Sequence, residues 1–130
     1  MLRGVDLLLK SFASAKAMRY LCAMPENTLL IFCTCPDLES AERISGELID
    51  TGLAACIHIS AEVTSVYKWQ DKRESAQERV LQIKTSESAY DELQQRILSL
   101  HPYELPEIIA VPVVRGLPGY IQWINQCTKQ

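Results

Sequence analysis

Five cysteines and two histidines supply every thiol and imidazole of this 130-residue chain, and two of the cysteines stand one residue apart in Cys33-Thr-Cys35. At the end of a β-strand, side chains two apart share a face, so this spacing sets two sulfurs on one side. Thiolate with imidazole suits Cu(I), Cu(II) or Zn(II), and a carboxylate adds a harder donor. The same spacing also reads as packing, since cysteine is among the most buried residue types. His101 and Glu107 flank the prolines of His101-Pro-Tyr-Glu-Leu-Pro-Glu107, a stiff connection that fixes side-chain directions at small entropic cost. His101 also reads as a helix-end histidine favoured by the negative end of the dipole. His58 alternates with Ile57 and Ile59, so it faces the other side of the sheet and reads as structural, with no second ligand expected beside it.

Other chemistries lose their signatures. The chain contains no Gly-x-Ser-x-Gly, Walker loop, Gly-x-Gly-x-x-Gly, His-Glu-x-x-His or Cys-x-x-Cys. Acylphosphatase-type catalysis wants an arginine in the loop after strand one beside an asparagine on a hairpin. That loop reads Thr34-Cys-Pro-Asp-Leu38, and the asparagines are Asn27 and Asn125. RNA recognition on a sheet wants exposed aromatics on the central strands, where Phe32 stands alone.

The size, 14.7 kDa, allows one domain with a real core. Hydrophobic residues make up 48% and charged residues 22%, with mean hydropathy −0.01. No apolar run approaches the ~20 residues of a membrane span, so no membrane is expected as partner. A net charge of −3 and pI near 5.4 provide no broad positive field, which removes nucleic acid from the expected partners. The odd cysteine count among strand-like and helix-like neighbours favours reduced thiols and a cytoplasmic location.

Residues 1–26 read as an N-terminal extension without catalytic role, net +2 against −5 for the remainder. Leu7-Leu-Leu9 is cut by Lys10, so a secretory signal is not expected. A basic, Ser- and Ala-containing amphipathic segment of this kind suits an organelle address, and Met18 or Met24 are alternative starts.

Residues 27–130 read as the domain. Thr28 to Cys33 is a buried strand stopped by Pro36-Asp37. A helix follows, capped by Asp37, with Leu38, Ala41, Ile44, Leu48 and Ile49 on one face and Gly52 at its end. Ala54 to Trp69 and Gln77 to Thr85 form a hairpin through Gln70-Asp-Lys-Arg-Glu74. A second helix starts at the capping box Ser88-Ala-Tyr-Asp91, carries Tyr90, Leu93, Ile97 and Leu100, and stops at His101-Pro102. Glu107 to Val114 is the last strand, and Tyr120, Trp123, Ile124 and Cys127 line a closing helix. The order β-α-β-β-α-β plus a terminal helix predicts an α+β fold, the ferredoxin-like split βαββαβ sandwich with a long β-hairpin.

The 16 residues from Ala54 to Trp69 would span ~50 Å at ~3.3 Å per residue, so this strand must bend near Ser60-Ala-Glu62 or project from its domain. Val66, Tyr67 and Trp69 at its tip are groups a lone hairpin cannot bury, and Pro112 suits an edge or bulge. Oligomerisation by edge pairing follows, with Tyr67 and Trp69 in the interface. The alternative is that these aromatics cover their own sheet.

Thr28 to Lys129 resembles the CutA family, the divalent-cation tolerance proteins. The motifs are Cys33-Thr-Cys-Pro-Asp37, Leu53-Ala-Ala-Cys56, Thr64-Ser-Val-Tyr-Lys-Trp69, His101-Pro-Tyr103, Leu105-Pro-Glu107 and a closing Tyr120-x-x-Trp-Ile124. The resemblance implies a homotrimer whose hairpins embrace neighbouring subunits, a link to copper and other divalent cations, and no enzymatic reaction. The metal ligands proposed for bacterial relatives carry over to Cys33, His101 and Glu107. Three positions depart from the family pattern. Leu100 stands where some relatives have a histidine, Cys35 where small non-thiol residues are common, and Ser60-Ala-Glu62 where a Pro-Gly bend is usual. The expected function is that of a cytoplasmic, homotrimeric, copper-binding protein of metal tolerance, each site gathering Cys33, His101 and Glu107 with help from Cys35. One alternative is a signalling or scaffold trimer, similar to PII proteins, that binds a small effector or protein partner in its subunit clefts. Another is an acid–base enzyme using Glu107 and Tyr103.

Overall fold

The computed structural model describes residues 27–128; the N-terminal extension lies outside them. Strand β1, Thr28–Cys35, alternates so that Ile31, Cys33 and Cys35 are fully buried. Pro36 ends it, and Asp37, in extended conformation, accepts from the Ser40 N–H at 2.8 Å to cap helix α1, Leu38–Asp50. The buried stripe of α1 is Ser40, Ala41, Ile44 and Leu48. Leu38 and Ile49, expected on that stripe, are exposed because they sit at the helix ends, beside the cap and the turn. Gly52, at φ 73°, makes the left-handed exit.

The expected long strand is divided. β2, Cys56–Ile59, and β3, Val63–Trp69, both pair antiparallel with β4, Lys72–Ser86. Between the pairs Ile59↔Leu81 and Val63↔Glu78, three residues face two on β4, which is a β-bulge. Ser60 makes the bulge: its N–H donates to the Val80 carbonyl at 2.9 Å, and its hydroxyl oxygen accepts from the Val80 N–H at 2.8 Å. The side chain thus stands in for a backbone acceptor of the ladder. The hairpin tip is narrower than the expected five-residue link. Gln70 and Asp71, at φ 51° and 65°, form a two-residue turn whose left-handed positions match the twist of the flanking strands.

The helix after β4 starts differently from the expected capping box. A 3₁₀ turn, Glu87–Ala89, runs directly into α2, Tyr90–Leu100, so Ser88 lies inside the turn, and the extended residue before it, Ser86, makes no side-chain cap hydrogen bond. Asn27 ties this corner instead, donating from Nδ2 to Glu87 at 2.7 Å. Leu93 and Ile97 are buried, with Tyr90 and Leu100 packed partly beside them, as the periodicity predicts. Strand β5, Ile108–Val113, pairs with β1 and places Pro112 opposite Leu29 on an edge strand. A Cβ on Gly116 would meet Ile121 Cδ1 at 2.6 Å, so a larger residue there would make the Ile121 side chain shift. In α3, Pro118–Cys127, only part of the expected stripe is covered: Ile124 and Asn125 are buried, while Tyr120, Trp123 and Cys127 are exposed. The two rings rest on each other, with centroids 5.5 Å apart.

The sheet order is β2-β4-β1-β5 with every neighbouring pair antiparallel, and β3 extends β4 beyond it as a ribbon. This is the split βαβ arrangement. α1 and α2 cover the β1–β4 centre, where Ile31, Cys33, Ile44, Leu81, Ile83 and Leu93 form the core. Among the described residues, no helix is long and apolar enough to cross a membrane.

Candidate metal centre

Strand alternation and the helix-ending proline bring three donors together. The sulfurs of Cys33 and Cys35 and a ring nitrogen of His101 all lie within 4.8 Å of one another, and all three residues are buried. The cysteines reach this place from the last turns of β1, and His101 from the C-cap of α2, whose backbone N–H still bonds Ile97. Glu107, the carboxylate expected beside them, is exposed and lies outside this group. It precedes Ile108, the partner of Cys33 across the β1–β5 ladder, and its charge acts on the Cys33 thiol.

Both nitrogens of His101 are engaged. Nδ1 accepts from the Tyr103 backbone N–H at 3.0 Å, so the neutral ring carries its hydrogen on Nε2 and donates to the Thr34 carbonyl at 2.7 Å. The Tyr103 ring lies 4.9 Å from the imidazole, and its hydroxyl donates to the buried Glu78 carboxylate at 2.7 Å. Burial first, and the Glu78 carboxylate second, push the Tyr103 phenol well above its ordinary value. In the acid–base reading Tyr103 was paired with Glu107; the structure pairs it with Glu78.

The two thiols are unequal. Cys33 is pushed up strongly by its hydrogen bonding to Cys35, then by burial and by the charges of Cys35, Glu107 and Glu78. Cys35 is held down, chiefly because the Cys33 thiol hydrogen stabilises its thiolate, with Ser40 adding to this. The two thiols titrate as a pair, in which loss of one proton opposes loss of the other. Two sulfurs with one imidazole suit a soft ion such as copper or zinc. Loading such an ion requires His101 to give up one of its hydrogen bonds and Cys33 its proton.

Sequence reasoning left His58 without a neighbour; the structure gives it two. Its Nε2 lies 3.9 Å from Cys56 Sγ and its Nδ1 3.4 Å from Lys84 Nζ. The i, i+2 spacing of Cys56 and His58 on β2 was the available signal, since it places both side chains on one face. Glu78 had no such signal, because only the register of β4 brings it to Tyr103. The expected interface residues Tyr67 and Trp69 are both exposed on the ribbon.

Residues 29–127 match the model of the CutA1 divalent ion tolerance protein family. The Protein CutA of Mus musculus is 37% identical over 106 residues, 82% of this chain, and the chain spans only 60% of that relative's length. The divalent-cation tolerance protein CutA of Thermus thermophilus is 37% identical over 99 residues, covering 76% of this chain and 96% of that protein. A solved CutA from Xylella fastidiosa superposes with a TM-score of 0.77 at 48% identity, over 78% of this chain and 98% of that one. With the motifs, the fold and these likenesses agreeing along nearly the whole described region, the chain belongs to the CutA1 divalent ion tolerance protein family.

Proposed function

We propose that this chain is a cytoplasmic, homotrimeric copper-binding protein of divalent-cation tolerance, without enzymatic activity. The observation that carries the metal reading is the buried meeting of Cys33, Cys35 and His101. Cys33 and His101 are the central ligands, Cys35 supplies the second sulfur, and Glu107 is the oxygen donor offered from the approach to β5. The thermophile relative's name, divalent-cation tolerance protein, supports the same reading. Free thiols at Cys33, Cys35, Cys56 and Cys127 suit a reducing compartment.

The trimer is supported by what a single chain leaves uncovered. Val66, Tyr67 and Trp69 are 64%, 45% and 57% exposed on a two-stranded ribbon, and Ile109 and Val111 stand open on the edge strand β5. Two-stranded ribbons of this kind are marginal alone, and open apolar edges invite pairing.

The test is calorimetric titration of the reduced apoprotein with Cu(I), Cu(II) and Zn(II), on wild type, Cys33→Ser and Glu107→Gln, with mass measured in the same buffer. Saturable copper binding that collapses in Cys33→Ser, on a particle of three chains, is the expected result. Copper binding indifferent to Cys33, or a monomeric mass, overturns the corresponding half of the proposal.

A further inference from the structure

We propose that Cys56 and His58 form a second soft-metal site, suited to Cu(I), on the open face of the sheet. The pair is separate from the buried centre, and its donors have the opposite character. Cys33, Cys35 and His101 are enclosed and already hydrogen-bonded, whereas His58 is exposed and Cys56 only half-buried.

The geometry is preset by β2. Cys56 Sγ and His58 Nε2 are 3.9 Å apart on one face of an edge strand. With bonds of about 2.3 Å to sulfur and about 2.0–2.1 Å to nitrogen, donors at this separation subtend roughly 125° at a shared ion. That angle suits the low coordination numbers of Cu(I), and the thiolate–imidazole donor set suits its softness. Solvent or a small thiol completes the shell.

Lys84 sets the affinity. Opposite Cys56 in the ladder, it points Nζ at His58 Nδ1, 3.4 Å away, and also lies 6.0 Å from the Tyr120 ring centroid. A metal on Nε2 leaves the hydrogen of the neutral ring on Nδ1, where an ammonium cannot accept it. Lys84 must therefore withdraw, and the Tyr120 face is at hand to receive its charge. An acceptor in place of Lys84 would instead supply the outer hydrogen bond that metal-bound histidines ordinarily make.

The experiment is Cu(I) titration against a chromogenic Cu(I) chelator, in reduced full-length protein carrying Cys22→Ser and Cys127→Ser. Cys56→Ser, His58→Gln, Lys84→Gln and Cys33→Ser are then added one at a time. The expected result is loss of one copper per chain in Cys56→Ser. His58→Gln weakens that copper by at least the roughly tenfold to hundredfold that loss of an outer-shell partner alone costs. Lys84→Gln tightens it, and X-ray absorption reports one sulfur and one imidazole at that copper. Full copper loading in Cys56→Ser, or an affinity unmoved by both His58→Gln and Lys84→Gln, overturns the proposal. Cys33→Ser removes only the buried centre's copper, so failure of one site is read separately from failure of the other.

Discussion

His101 donates from Nε2 to the carbonyl of Thr34 at 2.7 Å, fastening the end of α2 to the one residue that separates the two buried cysteines. The bond spans 67 residues of sequence and joins the two halves of the fold at the candidate metal centre. It also makes the imidazole a structural tie whenever no metal is held.

Replacing His101 by Ala strips the Thr34 carbonyl and the Tyr103 N–H of their partner together. We expect a loss of about 1–3 kcal/mol, the cost of stranding buried polar groups. His101→Gln, which offers both a donor and an acceptor, should recover part of it. Urea denaturation of the three proteins at one chain concentration checks the order.

Tyr103→Phe leaves the buried Glu78 carboxylate without the hydroxyl that donates to it at 2.7 Å. A cost of about 1.5–3 kcal/mol is expected, the range for hydrogen bonds to charged groups, and Glu78→Gln in the same background should relieve it. The pH dependence has a definite sign. The folded phenol holds its proton above the ordinary value near 10, so the unfolded chain loses that proton first. The Tyr103 contribution is complete below pH 10 and declines as pH rises further. Melting curves from pH 9 upward should fall less steeply in Tyr103→Phe than in wild type.

Thiol chemistry separates the four described cysteines. Alkylation followed by peptide mass spectrometry should modify Cys127 and Cys56 in the native protein, and Cys33 and Cys35 only on unfolding, in keeping with their burial. Copper uptake at the buried centre should strengthen with rising pH, because the Cys33 proton must leave. Uptake flat across pH 6 to 9 would argue against Cys33 as a ligand.

The pair Tyr67→Ser, Trp69→Ser removes two large apolar groups from the ribbon without touching the core. Sedimentation velocity at low micromolar concentration should show the assembly shifted toward single chains. Single-chain far-ultraviolet circular dichroism should be retained, since neither side chain belongs to the buried core.

Much of this molecule is legible in its residues because the determinants are local. Asp37 and Ser40 lie three apart and build the α1 cap between themselves; Leu93 and Ile97 follow one helical stripe; Cys33 and Cys35 share a face by strand alternation. What escaped depends on register or on competition. Glu78 meets Tyr103 across 25 residues only after β4 has found its partners. Ser88 has the composition of a helix cap but loses the role to a 3₁₀ turn that starts one residue earlier. Glu107 stands exposed at the end of the Pro-containing connection, and its place relative to the sulfur–imidazole group is set by the β1–β5 register, not by local spacing.

The extra residue between Ser60 and Val63 reverses the pairing phase of everything beyond it. In β2 the odd-numbered residues Ile57 and Ile59 oppose Ile83 and Leu81 and turn toward the helices. In β3 the odd-numbered residues Tyr67 and Trp69 oppose Glu74 and Lys72, the alternating partners on the other parity of β4. By pairing parity, Leu30, Phe32, Ile109 and Val111 share one row across β1 and β5, while Tyr67 and Trp69 stand over the Glu74 and Lys72 row of β4. A deletion of Ala61 would restore the phase and swing both rings to the helical side. One extra residue between β2 and β3 thus decides which row of β4 the ribbon's aromatics stand over.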